Sequence, residues 1–304
     1  MDKIDRELLM QIADIHKTPE GSYNIRKNGE CVSRNSTSEI EIFPKKDKSG
    51  IDIIVKPNVK NKSVHIPVII TLGGFTDLVY NDFYIGKNAD VTIVAGCGIH
   101  NTGTKTSEHD GIHTFHLDKN CKVKYIEKHL GIGNKGDKIL NPTTKIFMNE
   151  NSFFEMETIQ LGGVSYANRK TEAKLKDRAK LVVKERILTS ENQVAKTNFK
   201  VELNGKNCSA EVLSRSVAKN NSKQEFKSTL IGNNECYGRV ECDAILTDNA
   251  VVISTPSIKA NCVDSSLTHE AQIGKIAGEQ LTKLLTLGMT KEEAENLIIK
   301  GFLN

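Results

Sequence analysis

Apolar and polar positions follow a repeated pattern along most of this chain. Each copy has an aliphatic residue, two or three polar residues, a small residue, a spacer and a second apolar residue. The copies begin at residues 85, 117, 148, 175, 203, 231 and 246, so successive starts lie 32, 31, 27, 28, 28 and 15 residues apart. Such a period indicates stacked units that are each too small to bury their own apolar face. The polar pair is typical of a turn and the flanking alternation of a strand, so the pattern predicts a solenoid of strands, most simply a parallel β-helix.

The pattern divides the chain into three parts. Apolar residues at helical spacing predict a helix over residues 2–16, within an N-terminal segment of residues 1–49 that is otherwise polar and rich in turns. Strand signals dominate residues 50–264, which we assign to the β-helix core. Pro67 lies in this core and predicts an edge strand or the start of a strand, because proline has no amide hydrogen to donate to a ladder.

Helical spacing returns in residues 265–304, which we predict to be a small C-terminal α-helical domain. Thr290 and Glu293 form a capping box for its last helix, and Gly288 is a natural end for the helix before it. So small a unit has more apolar surface than it can bury within itself. Part of that surface is expected to pack on the last strands and part to remain as a docking face. The predicted docking residues are Leu281, Leu284, Leu285, Leu297, Ile298 and Phe302.

Composition narrows the classes of function. The 42 basic and 38 acidic residues leave a net charge of +4, which is too small for a nucleic-acid footprint. Tryptophan is absent and aromatic residues make up 5% of the chain, which argues against the stacking surfaces that bind single strands and, by extension, sugars. No apolar run is long enough to span a bilayer, and the charged N-terminus has no signal-peptide core. The sequence therefore predicts a cytoplasmic protein without a nucleic-acid or membrane partner.

Seven cysteines occur without disulfide or Cys-x-x-Cys spacing, so we expect free thiols in a reducing compartment. Cys121, Cys208 and Cys236 occupy the small position of the repeat, where alanine and serine stand in other copies, and this equivalence favours a packing role. Cys242 lies outside that position, in a predicted strand where it shares a face with Val240. The residues alone leave two interpretations of Cys242 open, a buried strand cysteine and a functional thiol.

A second cluster of chemically active side chains lies near the middle of the chain. Cys97 is followed by His100, His109, His113 and His116, and imidazoles at this density suit zinc or iron. In a strand, His109 and His113 would share a face that His116 opposes. A solvated loop and a metal site on a β-helix or cupin-like scaffold are both open, so a metal-dependent enzyme is the alternative hypothesis. No Walker A sequence is present, so we do not expect the chain to bind ATP through a P-loop.

The C-terminal third resembles the SufB/SufD family, the scaffold proteins of the SUF iron–sulfur cluster assembly system. The segments that carry the resemblance, in their order and spacing, are residues 241–246, 268–271, 278–281, 287–294 and 297–302. Upstream, Gly96 and Cys97 and the repeats fit the family's β-helix more loosely, so the resemblance covers residues 50–304. The chain is similar to the short, ancestral-type SufB-like proteins without a long N-terminal extension. It departs from the family at Thr268, where an acidic residue is common.

The resemblance implies a right-handed parallel β-helix that dimerises near its last strands and whose helical domain docks the ABC-type ATPase SufC. It implies a scaffold and not a free-standing enzyme, with ATPase activity only in the partner. Cys242 matches the thiol on which the cluster is assembled, His269 and Glu270 match residues near that thiol, and Cys97 matches a candidate point where sulfur enters. The implied cofactor is a transient iron–sulfur cluster built from iron, and the implied partners are a second copy of this chain and SufC.

Overall fold

A computed structural model describes residues 2–160 and 162–303, and it confirms a mainly β protein wound as a parallel β-helix of about eight turns. One helix precedes the strands and two follow them. In chain order the elements are α1 (Lys3–Ala13), β1 (Ser22–Lys27), β2 (Glu30–Asn35), β3 (Ile40–Pro44), β4 (Gly50–Val55), β5 (Lys62–Ile70), β6 (Thr76–Ile85), β7 (Asp90–His100), β8 (Ser107–Leu117), β9 (Lys122–Ile132), β10 (Lys138–Leu140), β11 (Thr143–Met148), β12 (Phe153–Gln160), β13 (Tyr166–Leu175), β14 (Lys180–Thr189), β15 (Val194–Leu203), β16 (Cys208–Ala218), β17 (Lys223–Gly232), β18 (Cys236–Leu246), β19 (Val251–Ala260), β20 (Ser265–Gly274), α2 (Gly278–Thr286) and α3 (Lys291–Leu303).

The strands form two sheets that face each other across the solenoid interior. The first sheet has the order β2-β1-β5-β7-β9-β12-β14-β16-β18-β20. The second has the order β19-β17-β15-β13-β10-β8-β6-β4-β3, and β11 also pairs with β8 and β13. Neighbours pair in parallel except at the N-terminal end, where β1 with β2 and β3 with β4 are antiparallel. The N-terminal segment therefore belongs to the same two sheets, and each later turn of chain adds one strand to each sheet.

The core is a set of side-chain stacks inside the solenoid. Alternation along each strand sends every second side chain inward, and register places it over the inward side chain of the next turn. Phe83 on β6 and Phe115 on β8 stack with ring centroids 4.2 Å apart, and Tyr125 and Phe154 meet them from the facing sheet. One turn alone would leave these rings exposed, which is why the repeat needs its neighbours.

The repeated sequence phrase forms the turn from the second sheet to the first. The residue before the small position has a positive φ in five copies, namely Asn88, Asn120, Asn151, Arg178 and Asn207. Asparagine accepts this left-handed conformation more readily than most residues. Successive turns also bond to each other, since Asn120 Nδ2 donates to Asn88 Oδ1 at 3.1 Å and Asn88 Nδ2 donates to Asn58 Oδ1 at 2.9 Å.

The seventh copy of the repeat, at residue 246, belongs to the opposite corner, and this corrects the sequence interpretation. It joins β18 of the first sheet to β19 of the second. Its left-handed residue Asp248 corresponds to Glu191 and Asn220 in the preceding turns of that corner. The step of 15 residues is therefore half a turn. Both corners need a residue that accepts a positive φ, which explains why their sequences look alike.

The domain boundary predicted at residue 265 is wrong, because the solenoid continues to Gly274. Residues Ser265–Gly274 form β20, which pairs in parallel with β18, and the next helix begins only at Gly278. The sequence interpretation joined Ile273 to the helical spacing that follows it. In the structure Ile273 continues the period of two set by Leu267 and faces the interior with it.

The expectation for Pro67 is also wrong. Pro67 lies in the middle of β5, between β1 and β7. The lost amide hydrogen is tolerated because the ladder between β1 and β5 skips this position and is registered only at Val64, His65, Val68 and Ile69.

Helix α1 covers the outer face of the first sheet and confirms the helix predicted near the N-terminus. Leu8 and Ile12 are buried against Ile69 and Val94 beneath the helix. Strand β7 carries Gly98 at the contact, where a Cβ atom would lie 2.9 Å from Leu8 Cδ2. The helix can therefore approach the sheet closely because a side chain is missing there.

We expect Leu8→Ala to lower the free energy of unfolding by about 2–5 kcal/mol, because it leaves a cavity under α1. Leu8 is 0% exposed, whereas Met10 on the same helix is 41% exposed, so Met10→Ala is the matched control. Urea unfolding followed by circular dichroism measures both. Equal effects of the two substitutions would contradict the packing described here.

Candidate functional site

Cys242 and His269 lie on the inner face of the first sheet, near the C-terminal end of the solenoid. Cys242 on β18 is 1% exposed and pairs in register with Ala271 on β20. His269 is two residues before Ala271 and pairs with Val240, so it is a diagonal neighbour of Cys242. Both side chains face the interior because register and alternation fix their direction. The structure thus brings together two of the three residues that the family resemblance groups.

Glu270 lies on the opposite face of the sheet. It is the strand neighbour of His269 and therefore points outward, where its Oε2 accepts a hydrogen bond from Arg239 Nη2 at 2.9 Å. Arg239 Nη2 also donates to Glu241 Oε2 at 2.8 Å. Within one chain, Glu270 is therefore separated by the sheet from Cys242 and engaged by a cation.

The Cys242 thiol is in its protonated form at neutral pH. Burial raises its pKa to about 11, the Ser254 hydroxyl opposes this rise, and the carboxylates of Glu185 and Asp243 add to it. Burial also lowers the pKa of His269, so that its imidazole is neutral. His269 Nε2 is buried and has no hydrogen-bond partner among the residues described. A metal ion that binds a protonated thiol displaces its proton, and one that binds a neutral imidazole accepts its lone pair.

This end of the solenoid is open. Strands β19 and β20 are the last members of their sheets, so within the described chain each has one backbone edge without a neighbouring strand. Apolar side chains are exposed along β19 and at the end of β20, namely Val251, Ile253, Ile258 and Ile273. Unpaired edges with apolar residues favour association with another strand.

Cys97 faces the interior near the other end, on β7. It lines an enclosed cavity of about 10 Å³, room for one water-sized group. His109, His113, His129 and Glu127 line the same cavity. Burial raises the pKa of the Cys97 thiol well above its usual value, and the nearby carboxylates act in the same direction.

A buried charged network fills the interior between these two cysteines, and no feature of the sequence analysis identified it. Arg169 pairs with Glu127 and lies 3.8 Å from Glu185, while the Glu185 carboxylate accepts hydrogen bonds from Thr197 at 2.9 Å and Ser214 at 2.8 Å. Burial would raise the pKa of Glu127, but Arg169 and His129 outweigh it and hold that pKa well below its usual range. The sequence feature that could have revealed this network is that polar residues replace apolar ones at inward-facing positions of successive repeats.

Because the parallel strands pair in register, part of this network is stacked in a column along the solenoid. Along the first sheet, the registered inward residues from β9 to β18 are Glu127, Thr158, Glu185, Ser214 and Cys242. Cys97 begins the adjacent column, where it pairs with His129. Five strand spacings separate β7 from β18 along the sheet, which amounts to about 24 Å. A continuous row of polar side chains therefore runs inside the solenoid from one cysteine to the other.

The structure divides the four central histidines between two faces. His109 and His113 share a face, as strand alternation predicts, and that face is the inner one. His116 stacks outside between Tyr84 and Phe147 at centroid distances of 5.0 and 5.4 Å. His100 ends β7 on the outer face. Within residues 2–160 and 162–303, no group of three or more His, Cys, Asp or Glu side chains is arranged to hold a metal ion. The four histidines therefore do not converge on one site.

The predicted docking residues of the C-terminal helices, which we call the docking stripe, are partly buried. Helix α3 packs on the outside of the first sheet through Ala294 and Ile299, which are buried. Leu285 and Leu297 are 40% and 48% exposed, and Leu287, which the sequence analysis omitted, is 76% exposed. The half-buried residues of the stripe are Leu281, Leu284, Ile298 and Phe302. None of the helices described is long and apolar enough to cross a bilayer.

These features define a class, a parallel β-helix with thiols and imidazoles inside it and an open C-terminal end. Residues 80–302 match the family model for the SufBD core domain of SUF system FeS cluster assembly. This match covers more than half of the chain, which therefore belongs to the SufBD family.

Relatives from archaea bear the family name. The iron–sulfur cluster assembly SufBD family protein of Methanocaldococcus jannaschii is 28% identical over 83% of this chain and 79% of its own length. That of Pyrococcus horikoshii is 25% identical over 90% of this chain and 83% of its own length. That of Methanothermobacter thermautotrophicus is 28% identical over 72% of this chain, which spans only 53% of the relative.

We expect acid to destabilise the protein through His113. Burial lowers its pKa from 6.5 to about 4, so between these values the unfolded chain binds a proton that the folded chain does not. Stability is therefore fully present above pH 6.5 and falls as the pH drops, by about 2 kcal/mol at pH 5 from this group. His113→Gln should reduce the difference in unfolding free energy between pH 8 and pH 5 by that amount. An unchanged difference in urea titrations would contradict this expectation.

Proposed function

We propose that this chain is a scaffold on which an iron–sulfur cluster is assembled, with Cys242 and His269 as ligands. The observation that carries the proposal is that both side chains face one interior at the open end of the β-helix, in a member of the SufBD family. Thiolate and imidazole are both established ligands of iron. Iron and sulfide are in this view the cargo of the protein and not its resident cofactor.

We infer that two copies of the chain associate through the open end. Pairing of the free edges of β19 and β20 with a second copy would satisfy their backbone groups and cover their apolar side chains. A two-fold axis would then bring two sets of Cys242 and His269 to one interface. Glu270 would join this ligand set only if β20 rearranged, because within one chain it faces outward and is paired with Arg239.

Protonation of Cys242 fits a site that stays inert until iron arrives. The pKa of about 11 keeps the thiol neutral, so the free protein holds little of the reactive thiolate. Iron would replace the thiol proton, because metal binding and deprotonation are linked. Cluster assembly at Cys242 should therefore release protons and strengthen with rising pH.

We infer that Cys97 is the point where sulfur enters. A small cavity of about 10 Å³ lies beside its thiol, and the polar column leads from there toward Cys242. A partly charged sulfur species would be solvated by this column, whereas the apolar stacks elsewhere in the interior would exclude it. The buried charges between the cysteines thus gain a role beyond stability.

The exposed part of the helical stripe is proposed to dock the ABC-type ATPase SufC. Leu285, Leu287 and Leu297 expose apolar surface on one small helical unit, which is more than isolated surface residues normally present. Two ATPases on one dimer would each hold a helical unit next to β20. Closure of the ATPases on ATP would then move the strand that carries His269.

Cys242→Ser should reduce the cluster absorbance formed on anaerobic reconstitution with iron and sulfide to less than about a tenth, because the main soft ligand is lost. Cys208→Ser is the matched control, since Cys208 is equally buried and its pKa is also raised to about 11. Iron content by metal analysis accompanies the absorbance. Wild-type iron content in Cys242→Ser would refute the assignment.

A chain truncated after Lys275 should lose the ATPase while keeping the β-rich circular dichroism spectrum, because β20 stays intact and only α2 and α3 are removed. Co-purification with SufC is the measurement. The double substitution of Leu285 and Leu297 by glutamate tests the same surface in the full chain. Retention of the ATPase by the truncated chain would exclude this docking site.

A further inference from the structure

The cavity beside Cys97 has the parts needed to activate a buried thiol. Sulfur transfer requires a thiolate, and burial opposes its formation at Cys97. A base that takes the proton at the moment of reaction would remove this obstacle. Three imidazoles line the cavity, and their hydrogen bonds decide which of them has a free lone pair.

His129 cannot serve as this base. Its Nδ1 accepts a hydrogen bond from Arg169 Nη2 at 3.0 Å, and arginine is only a donor. The neutral ring therefore carries its hydrogen on Nε2, which lies 3.6 Å from Glu127 Oε1. Both nitrogens of His129 are thus committed to the charged network.

His113 is a poor base. The Tyr125 hydroxyl donates to Glu127 Oε1 at 3.0 Å, so it accepts from His113 Nδ1–H at 2.7 Å. This leaves the lone pair on Nε2, where Asn81 Nδ2 approaches to 3.5 Å. With a pKa of about 4, His113 takes up a proton only in acid.

His109 has the arrangement of a general base. Its Nδ1–H donates to Asp77 Oδ2 at 3.1 Å, and Asp77 Oδ1 accepts from Arg26 Nη2 at 3.2 Å. Burial alone would raise the pKa of Asp77, but His109 and Arg26 outweigh it and keep the carboxylate ionised. Nε2 then carries the lone pair beside Gly111, another residue of the cavity wall, and lies 3.3 Å from the position that a Cβ there would occupy, as His113 Nε2 does at 3.1 Å. A carboxylate behind the ring both fixes this tautomer and stabilises the imidazolium.

We propose that His109, oriented by Asp77, is the general base that deprotonates Cys97 for attack on sulfane sulfur. The inference rests on the proposed function of Cys97, and it adds the residues that make that function chemically possible.

The step balances without an oxidant. His109 Nε2 takes the proton of the Cys97 thiol, and the thiolate forms a bond to the outer sulfur of a persulfide or polysulfide. The sulfur–sulfur bond of the donor breaks, its electron pair remains on the departing sulfur, and that sulfur takes the proton back from His109. The products are a Cys97 persulfide and the shortened donor. A small inorganic polysulfide is the simplest donor of this class, because it carries sulfane sulfur without a protein or organic group attached.

The test measures persulfide on the peptide that carries Cys97, by mass spectrometry, after iron-free protein is exposed to sodium polysulfide under anaerobic conditions. We expect His109→Gln to slow the modification at pH 7 by about 100-fold, the usual contribution of a general base. Asp77→Asn should slow it less, because the imidazole stays in place but loses its orienting carboxylate. His116→Gln, which changes a histidine of the same strand that stacks outside between Tyr84 and Phe147, should retain the wild-type rate within about twofold.

The pH profile separates a base from a structural role. The wild-type rate should rise with the titration of one imidazole and then level off, whereas His109→Gln should lack this step and rise only toward the alkaline range. An unmodified Cys97 in the wild type, equal rates in His109→Gln and wild type, or an imidazole step that survives His109→Gln would each overturn the proposal. Circular dichroism of every variant checks that the fold is kept, and the wild-type pH profile is informative even if one variant unfolds.

The outcome is independent of the cluster assignment. Iron content of Cys242→Ser tests the cluster assignment in a separate sample. Failure of the cluster assignment and failure of the general-base proposal therefore give different results. Sulfur on Cys97 without a cluster on Cys242 would point to a sulfur acceptor alone, and a cluster without sulfur on Cys97 would point to direct delivery.

Discussion

Each inward side chain of this β-helix lies directly over its counterpart in the next turn, because the parallel strands pair residue by residue in register. This constraint decides what the interior can contain. An apolar residue must find apolar neighbours above and below, as the rings of Phe83 and Phe115 do at a centroid separation of 4.2 Å. A polar residue is favoured beside a polar neighbour, since a single buried group without a partner costs about 1–3 kcal/mol, although Thr158 Oγ1 in the column has no partner among the residues described. Polar character in one turn therefore propagates to the next, and a column results.

The column between Cys97 and Cys242 costs folding free energy, because it buries charged groups in the core. It holds two carboxylates, Glu127 and Glu185, around one guanidinium, that of Arg169. Replacing such a buried set by apolar residues of similar volume is commonly neutral or stabilising in other proteins. Other inward positions of the same solenoid are filled by apolar stacks such as Phe83 on Phe115. Retention of the charges is therefore consistent with the proposed passage of sulfur along the column.

The sequence predicted the architecture because its signal is periodic, and periodicity survives local irregularity. It could not assign Ser265–Gly274 to a strand, since the apolar residues at its end also fit the helical spacing that begins at Gly278. Alternation correctly put His109 and His113 on one face and His116 on the other, but it did not tell which face is inside. The sequence could not identify the partners Asp77 and Arg169, because they reach the site only through the pairing of strands that are distant in the sequence. Glu270 and His269 are adjacent in sequence but lie on opposite faces, a distinction that only the continued strand reveals.

The two buried thiols pose the same problem and have different surroundings. A thiol that accepts sulfur must be a thiolate before the new bond forms, so a base has to stand beside it, and Cys97 shares its cavity with three imidazoles. A thiol that binds iron has no such need, because the metal itself displaces the proton. Cys242 accordingly has only Ser254 to lower its pKa, while burial and two carboxylates raise it. Its diagonal neighbour His269 has a neutral imidazole, which is available as a second ligand of the metal. The two environments therefore fit the roles proposed for them, with proton loss before bond formation at Cys97 and displacement of the proton by iron at Cys242.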